Sequence, residues 1–323
     1  MKLRKPLTAG VLAGALLLSG CQNSSSPSDS SADASGSASA ASSSEAPSSN
    51  ASSAPAESSE GTSVETKTTI DADTHEIPAT VVIPASASED QPAPAVLLLH
   101  GTGSQKDEAG DGYVRLAEDL AEAGIASIRI DFMGSGESTA PDEDFDLENA
   151  LSDSEAALDF LAEQAEIDAS RLGVLGWSQG GLHALRVAAD DDRITSLVTW
   201  AAPSEPMDVS EEQRQEAAEK GYFTEEFDWR DPMDTGQAWI DGMDSLDVAS
   251  VVSSIDVPML LINGADDDVV PPENADAIAE NANDAEVLII PNADHTFKVF
   301  TDDGTPFEQL SEATVKFFSD NLQ

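Results

Sequence analysis

From residue 94 onward, apolar runs of strand length alternate with stretches of helical spacing, and this alternation constrains the fold most tightly. The runs cover 94–99, 125–130, 171–175, 194–201, 258–262 and 286–290. A stretch such as Ala95-Val96-Leu97-Leu98-Leu99, apolar at every position, suits a strand covered on both faces. Between the runs, Tyr113, Leu116, Leu120 and Ala123 share one helical face, and Gly124 follows as a stop signal. Leu147, Leu151, Leu158 and Leu161 make a second stripe, and helices are also expected over 182–189, 273–282 and 306–321. The alternation predicts an α/β domain with a mostly parallel central sheet flanked by helices. Upstream, 66–70 and 79–84 are β-rich and read as an antiparallel hairpin. The stretch 203–257 breaks the rhythm and carries Tyr222, Phe223, Phe227, Trp229, Trp239 and Met243. Too long for a structureless loop, it is expected to fold as a small cap over the strand ends.

The N-terminal segment has a different logic. Lys2, Arg4 and Lys5 precede a short apolar stretch over 11–18, which is the pattern of an export signal. It ends in Leu18-Ser19-Gly20-Cys21, which resembles the lipobox of bacterial lipoproteins. That resemblance implies a signal peptide over 1–20 and a lipid on Cys21, holding the chain at the outer face of a cell membrane. Cys21 is the one cysteine of the chain, so no internal disulfide forms. Residues 21–63 are dominated by Ser and Ala and are expected to act as a disordered tether.

The remaining 64–323 is of a size for one large α/β domain. It holds 57 of the 62 acidic and 12 of the 15 basic residues, a net 45 negative charges. Such a surface repels phosphate, so a nucleic-acid partner is excluded. It also repels itself, which salt relieves; a high-salt habitat and an acidic secreted proteome both account for it. The domain is expected to be a monomer.

Gly176-Trp177-Ser178-Gln179-Gly180 follows the run at 171–175 and precedes a helical segment. A serine between glycines at a strand-to-helix turn is the nucleophile elbow of serine hydrolases. The hydroxyl needs a base in reach, normally a histidine oriented by a carboxylate. Of the four histidines, His75 lies in the early hairpin turn and His183 is expected to point away from Ser178. His100 ends the first apolar run, where a bracing role suits it. Only His295 follows a strand end downstream of the elbow.

At Gly264-Ala265-Asp266-Asp267-Asp268-Val269-Val270-Pro271 the chain strongly resembles the α/β-hydrolase superfamily, whose members show G-x-x-D-x-x-V-P here. The resemblance implies Asp267 as the acid, with Asp266 and Asp268 one residue away on either side. It also implies an oxyanion hole made by the backbone N–H groups of Gln179 and Thr102, the latter in His100-Gly101-Thr102-Gly103. The segment from Arg129-Ile130-Asp131 to Gly134-Ser135-Gly136-Glu137-Ser138 is similar to a loop of the same superfamily. The arrangement is most similar to feruloyl/cinnamoyl esterases and dienelactone-hydrolase-like proteins. The dienelactone hydrolases proper carry cysteine at the elbow and haloalkane dehalogenases carry aspartate, whereas this chain has Ser178. The expected activity is cleavage of small-molecule carboxylic esters, feruloyl/cinnamoyl or short-chain, through an acyl-enzyme and without cofactor. No metal is expected, because the 266–268 aspartates lack a companion ligand set. A peptidase with the same three residues and a non-catalytic binding protein on this scaffold are the alternatives.

Overall fold

The structure, a computed structural model, describes residues 62–72 and 74–322. The signal segment over 1–20, Cys21 and all but the last two residues of the 21–63 tether lie outside the described residues.

The hairpin is present as β1 (Ser63–Asp71) and β2 (Glu76–Pro84), paired antiparallel from Ser63↔Pro84 to Asp71↔Glu76. Then come β3 (Ala93–Leu99), α1 (Gly112–Glu122), β4 (Ala126–Ile130) and α2 (Leu147–Ala162). The elbow joins β5 (Ile167–Trp177) to α3 (Gln179–Asp190), and β6 (Ile194–Trp200) follows. The cap stretch folds as α4 (Glu211–Lys220), a small hairpin of β7 (Tyr222–Glu225) and β8 (Met233–Gly236), and α5 (Gln237–Ser245). The chain returns through α6 (Val248–Ser253), β9 (Met259–Gly264), α7 (Glu273–Ala279), β10 (Ala285–Ile290) and α8 (Thr305–Asn321).

Eight strands form one sheet in the order β1-β2-β4-β3-β5-β6-β9-β10. Only the pairs β1–β2 and β2–β4 are antiparallel; the other five are parallel. The fully apolar β3 shows why the parallel strands lack alternation. Leu97 and Leu99 join a layer containing Leu158, Leu161 and Leu185, while Val96 and Leu98 join another with Tyr113, Leu116 and Phe318. Both faces are dry, so both need apolar side chains. Burying such a leucine stabilises the fold by about 1.5–3 kcal/mol.

Parallel strands all present their C-terminal ends at one edge, and the loops there carry the candidate residues. Two of these loops are locked by a buried ion pair: Lys106 Nζ lies 2.6 Å from Asp131 Oδ2, with both side chains enclosed. Among the described residues, no helix is long and apolar enough to cross a membrane.

Candidate active site

The strand β5 ends at Trp177, and Ser178 takes φ 56°, ψ −123° before α3 begins. A non-glycine residue in that region costs about 1–3 kcal/mol and persists only where its surroundings hold it. The flanking glycines explain how the turn closes. A Cβ on Gly176 would stand 1.9 Å from the Gly180 carbonyl oxygen, and one on Gly180 would stand 2.1 Å from that of Leu99. Ser178 N–H donates to Trp200 O on β6 at 2.8 Å, which pins the turn to the sheet.

Three side chains from three loops meet at this hydroxyl. Ser178 Oγ lies 3.1 Å from His295 Nε2, and His295 Nδ1 lies 2.8 Å from Asp267 Oδ2. With a carboxylate at Nδ1, that nitrogen carries the proton and Nε2 accepts from the serine. Asp267 is buried, and its other oxygen accepts from the backbone N–H groups of Val269 and Val270 at 2.9 and 2.8 Å. Asp266 and Asp268 are exposed, and of the three aspartates only Asp267 reaches His295. Trp177 Nε1–H donates to the His295 carbonyl at 3.1 Å, tying the base loop back to the elbow strand.

Thr102 and Gln179 also come together here. Among the described residues, neither backbone N–H has an acceptor. The Gln179 amide opens α3, where the helix dipole adds to its attraction for an anion. The Thr102 hydroxyl donates to Gln179 Oε1 at 2.5 Å, a link from side chain to side chain. His100 braces the same loop: Nε2 accepts from the Phe132 N–H at 3.2 Å, so Nδ1–H donates to Gly101 O at 2.9 Å. Burial lowers its pKa, consistent with a neutral structural ring.

His183 sits on the elbow helix α3. It does not reach Ser178, yet its ring borders the adjoining cavity and its Nε2 lies 3.3 Å from the Gln179 side-chain amide. Burial, aided by Arg186 and His100, lowers its pKa to about 3. The ring meets Phe132 and Phe145 edge-on. His75 stands elsewhere, paired with the buried Asp153 at 3.2 Å. A lone histidine at the fifth position beyond an elbow serine gives no sequence signal for such a contact.

A cavity of about 40 Å³ opens beside Gly101, Thr102 and Gln179. The scaffold supplies Phe132 and Phe145 to its wall, and the cap supplies Met207, Met233 and Trp239. Trp239 also packs edge-on against the buried Phe223, so the cap aromatics serve both the cap's own core and the cavity. One carboxylate cluster among the described residues, Asp142, Glu143 and Asp234, gathers within 4.8 Å and has the oxygen set for a cation. It includes none of the 266–268 aspartates, and Asp142 already accepts the Asp234 backbone N–H at 3.0 Å.

A family model described as the alpha/beta hydrolase fold matches residues 94–231. The chain has the α/β-hydrolase fold. The match takes in β3, the elbow and the first half of the cap. Est1E from Butyrivibrio proteoclasticus, solved with ferulic acid bound, superposes on this α/β-hydrolase fold with a TM-score of 0.66. It shares 22% identity, over 79% of this chain and 99% of that one, a likeness of fold alone. The human serine hydrolase BPHL is 26% identical over 238 residues, 68% of this chain and 78% of its own length. YtaP from Bacillus subtilis (strain 168) is 31% identical over 150 residues, and the chain spans only 50% of its length. BPHL is named a serine hydrolase and YtaP a putative hydrolase.

Proposed function

We propose that the chain is a serine hydrolase of small-molecule carboxylic esters, working through an acyl-enzyme. The observation that carries the reading is the continuous line from Ser178 through His295 to Asp267, with two free N–H groups beside the serine. Ser178 Oγ attacks the acyl carbon while His295 Nε2 takes its proton. Asp267 keeps the imidazole in the productive tautomer and stabilises the imidazolium that forms. The Thr102 and Gln179 N–H groups receive the negative oxygen of the tetrahedral intermediate. His295 then returns its proton to the departing alcohol, and water activated by the same ring releases the acid.

Met207, Met233 and Trp239 of the cap line the cavity beside the Thr102 and Gln179 N–H groups, an apolar wall suited to an acyl chain. Short-chain and feruloyl-type acids are both candidates, and a substrate panel separates them. The deciding experiment measures hydrolysis of p-nitrophenyl acetate, butyrate, decanoate and methyl ferulate by the wild-type chain and Ser178→Ala. Turnover is expected for the short esters and is lost in the variant. Full turnover by Ser178→Ala rejects the mechanism, and absence of fluorophosphonate labelling at Ser178 favours a binding protein. Cleavage of peptides in preference to esters favours the peptidase.

The proposal includes export and anchoring through a lipid on Cys21, supported by the sequence pattern around it. Labelled palmitate is expected to enter the wild-type chain in a bacterial host and not Cys21→Ser.

A further inference from the structure

The loop from β3 to α1 is wrapped around one carboxylate that the mechanism above does not use. Glu108 Oε2 accepts the Gly101 backbone N–H at 2.9 Å, and Oε1 accepts the Ala109 N–H at 3.2 Å. Gly101 is the residue before Thr102, and a Cβ on it would lie 3.2 Å from Ser178 Cβ. Glu108 thus grips the strip of backbone that lies against the serine and presents the Thr102 N–H.

Its own backbone is held at φ 60°, ψ 178°, a region that side chains other than hydrogen rarely adopt. Ser178, at φ 56°, ψ −123°, shares that broad strained region. The loop is also wedged against the base loop. A Cβ on Gly110 would stand 2.8 Å from Val299 Cγ2, four residues beyond His295. The groups facing the carboxylate are the Ser104 hydroxyl, Tyr113 from α1, and His295, which attracts it electrostatically. Burial nonetheless pushes the Glu108 carboxyl above its ordinary range, so a charge here is held at a cost.

We propose that Glu108 is a positioning residue, which fixes the Thr102 loop through Gly101 and so holds the Thr102 N–H beside Ser178. The catalytic half of this assignment rests on the ester-hydrolase reading. Glu108 itself donates and accepts no proton in the cycle.

The full chain carrying Glu108→Gln or Glu108→Ala tests this. Glutamine keeps an oxygen for the Gly101 N–H and removes the charge; alanine removes both. The Gly101 amide, followed by NMR, is expected to exchange about tenfold or more faster in Glu108→Ala and near the wild-type rate in Glu108→Gln. Glu108→Ala is expected to lose on the order of 10- to 100-fold in kcat with KM within about twofold. Glu108→Gln recovers most of that loss at pH 8. Unchanged Gly101 amide exchange in Glu108→Ala overturns the assignment, and so does wild-type kcat in a folded Glu108→Ala. Should Glu108→Ala not fold, faster hydrogen exchange at the Gly101 amide on protonation of Glu108 in wild type replaces it, and unchanged exchange overturns the brace. If the wild-type chain cleaves no ester, the hydrolase reading fails alone, because amide exchange at Gly101 still decides the role of Glu108.

Discussion

Asp267 is one of three consecutive aspartates, and what separates it from its neighbours is enclosure. Its carboxylate is buried with two backbone N–H donors on one oxygen and His295 on the other, while Asp266 and Asp268 face solvent. Asp267→Asn is expected to lower kcat about 10⁴-fold by favouring the wrong imidazole tautomer. Asp266→Asn and Asp268→Asn leave ester turnover within about twofold. The resemblance to the superfamily pattern pointed to Asp267, but a one-residue slip was open because the reach of a side chain depends on how the turn closes. His183 was less legible still. Its place between Phe132 and Phe145 arises from packing between α3, α2 and the loop after β4, which no local pattern encodes. Its folded pKa, about 3, lies below the ordinary 6.5, so the unfolded chain binds the proton first. Stability from this group therefore falls as pH drops from 6.5 toward 3. Urea unfolding at pH 7 and pH 4.5 checks this: His183→Phe is expected to lose less stability between the two than wild type.

At the scale of elements, the parallel strands were readable because both of their faces are buried, which leaves unbroken apolar runs. The elbow was readable because glycine is obligatory on both sides of Ser178 for steric reasons. Strand ends were harder. The strand expected over 171–175 extends over Ile167–Trp177, since Asp168 and Ser170 interrupt the apolar pattern after Ile167 and its last residues pass into the turn. In the cap, α4 offered little to read: it is fully buried at Ala217 alone and, apart from Ala218, is otherwise charged or polar, with Ser210 and Gln213 forming a capping box at its start. The Lys106–Asp131 lock belongs to this scale as well, because it joins the loops after β3 and β4. Lys106→Met leaves the Asp131 charge enclosed without its partner and is expected to cost about 3–5 kcal/mol in chemical unfolding. A loss under about 1 kcal/mol would show that water takes over the role of the ammonium.

For the whole molecule, charge sets the conditions under which the fold holds. With 57 acidic and 12 basic residues over 64–323, folding gathers like charges together, and added salt screens them. The melting temperature in molar KCl is expected to exceed that in 10 mM salt by about 5 °C or more, measured by calorimetry at pH 7.5. Equal values would show that local ion pairs already offset the repulsion.

The cap leaves the scaffold after β6 and rejoins it at α6, the crossover helix leading to the neighbouring strand β9. It is therefore a detour between two points of one strand–helix–strand unit, and its length is only weakly coupled to the rest of the sheet. Ser178, Asp267 and His295 all sit outside it, so shuffling this stretch between homologues can change what enters the cavity while the chemistry stays in place. Directed evolution of new selectivity has a natural cassette here, with its seams at residues 203 and 247.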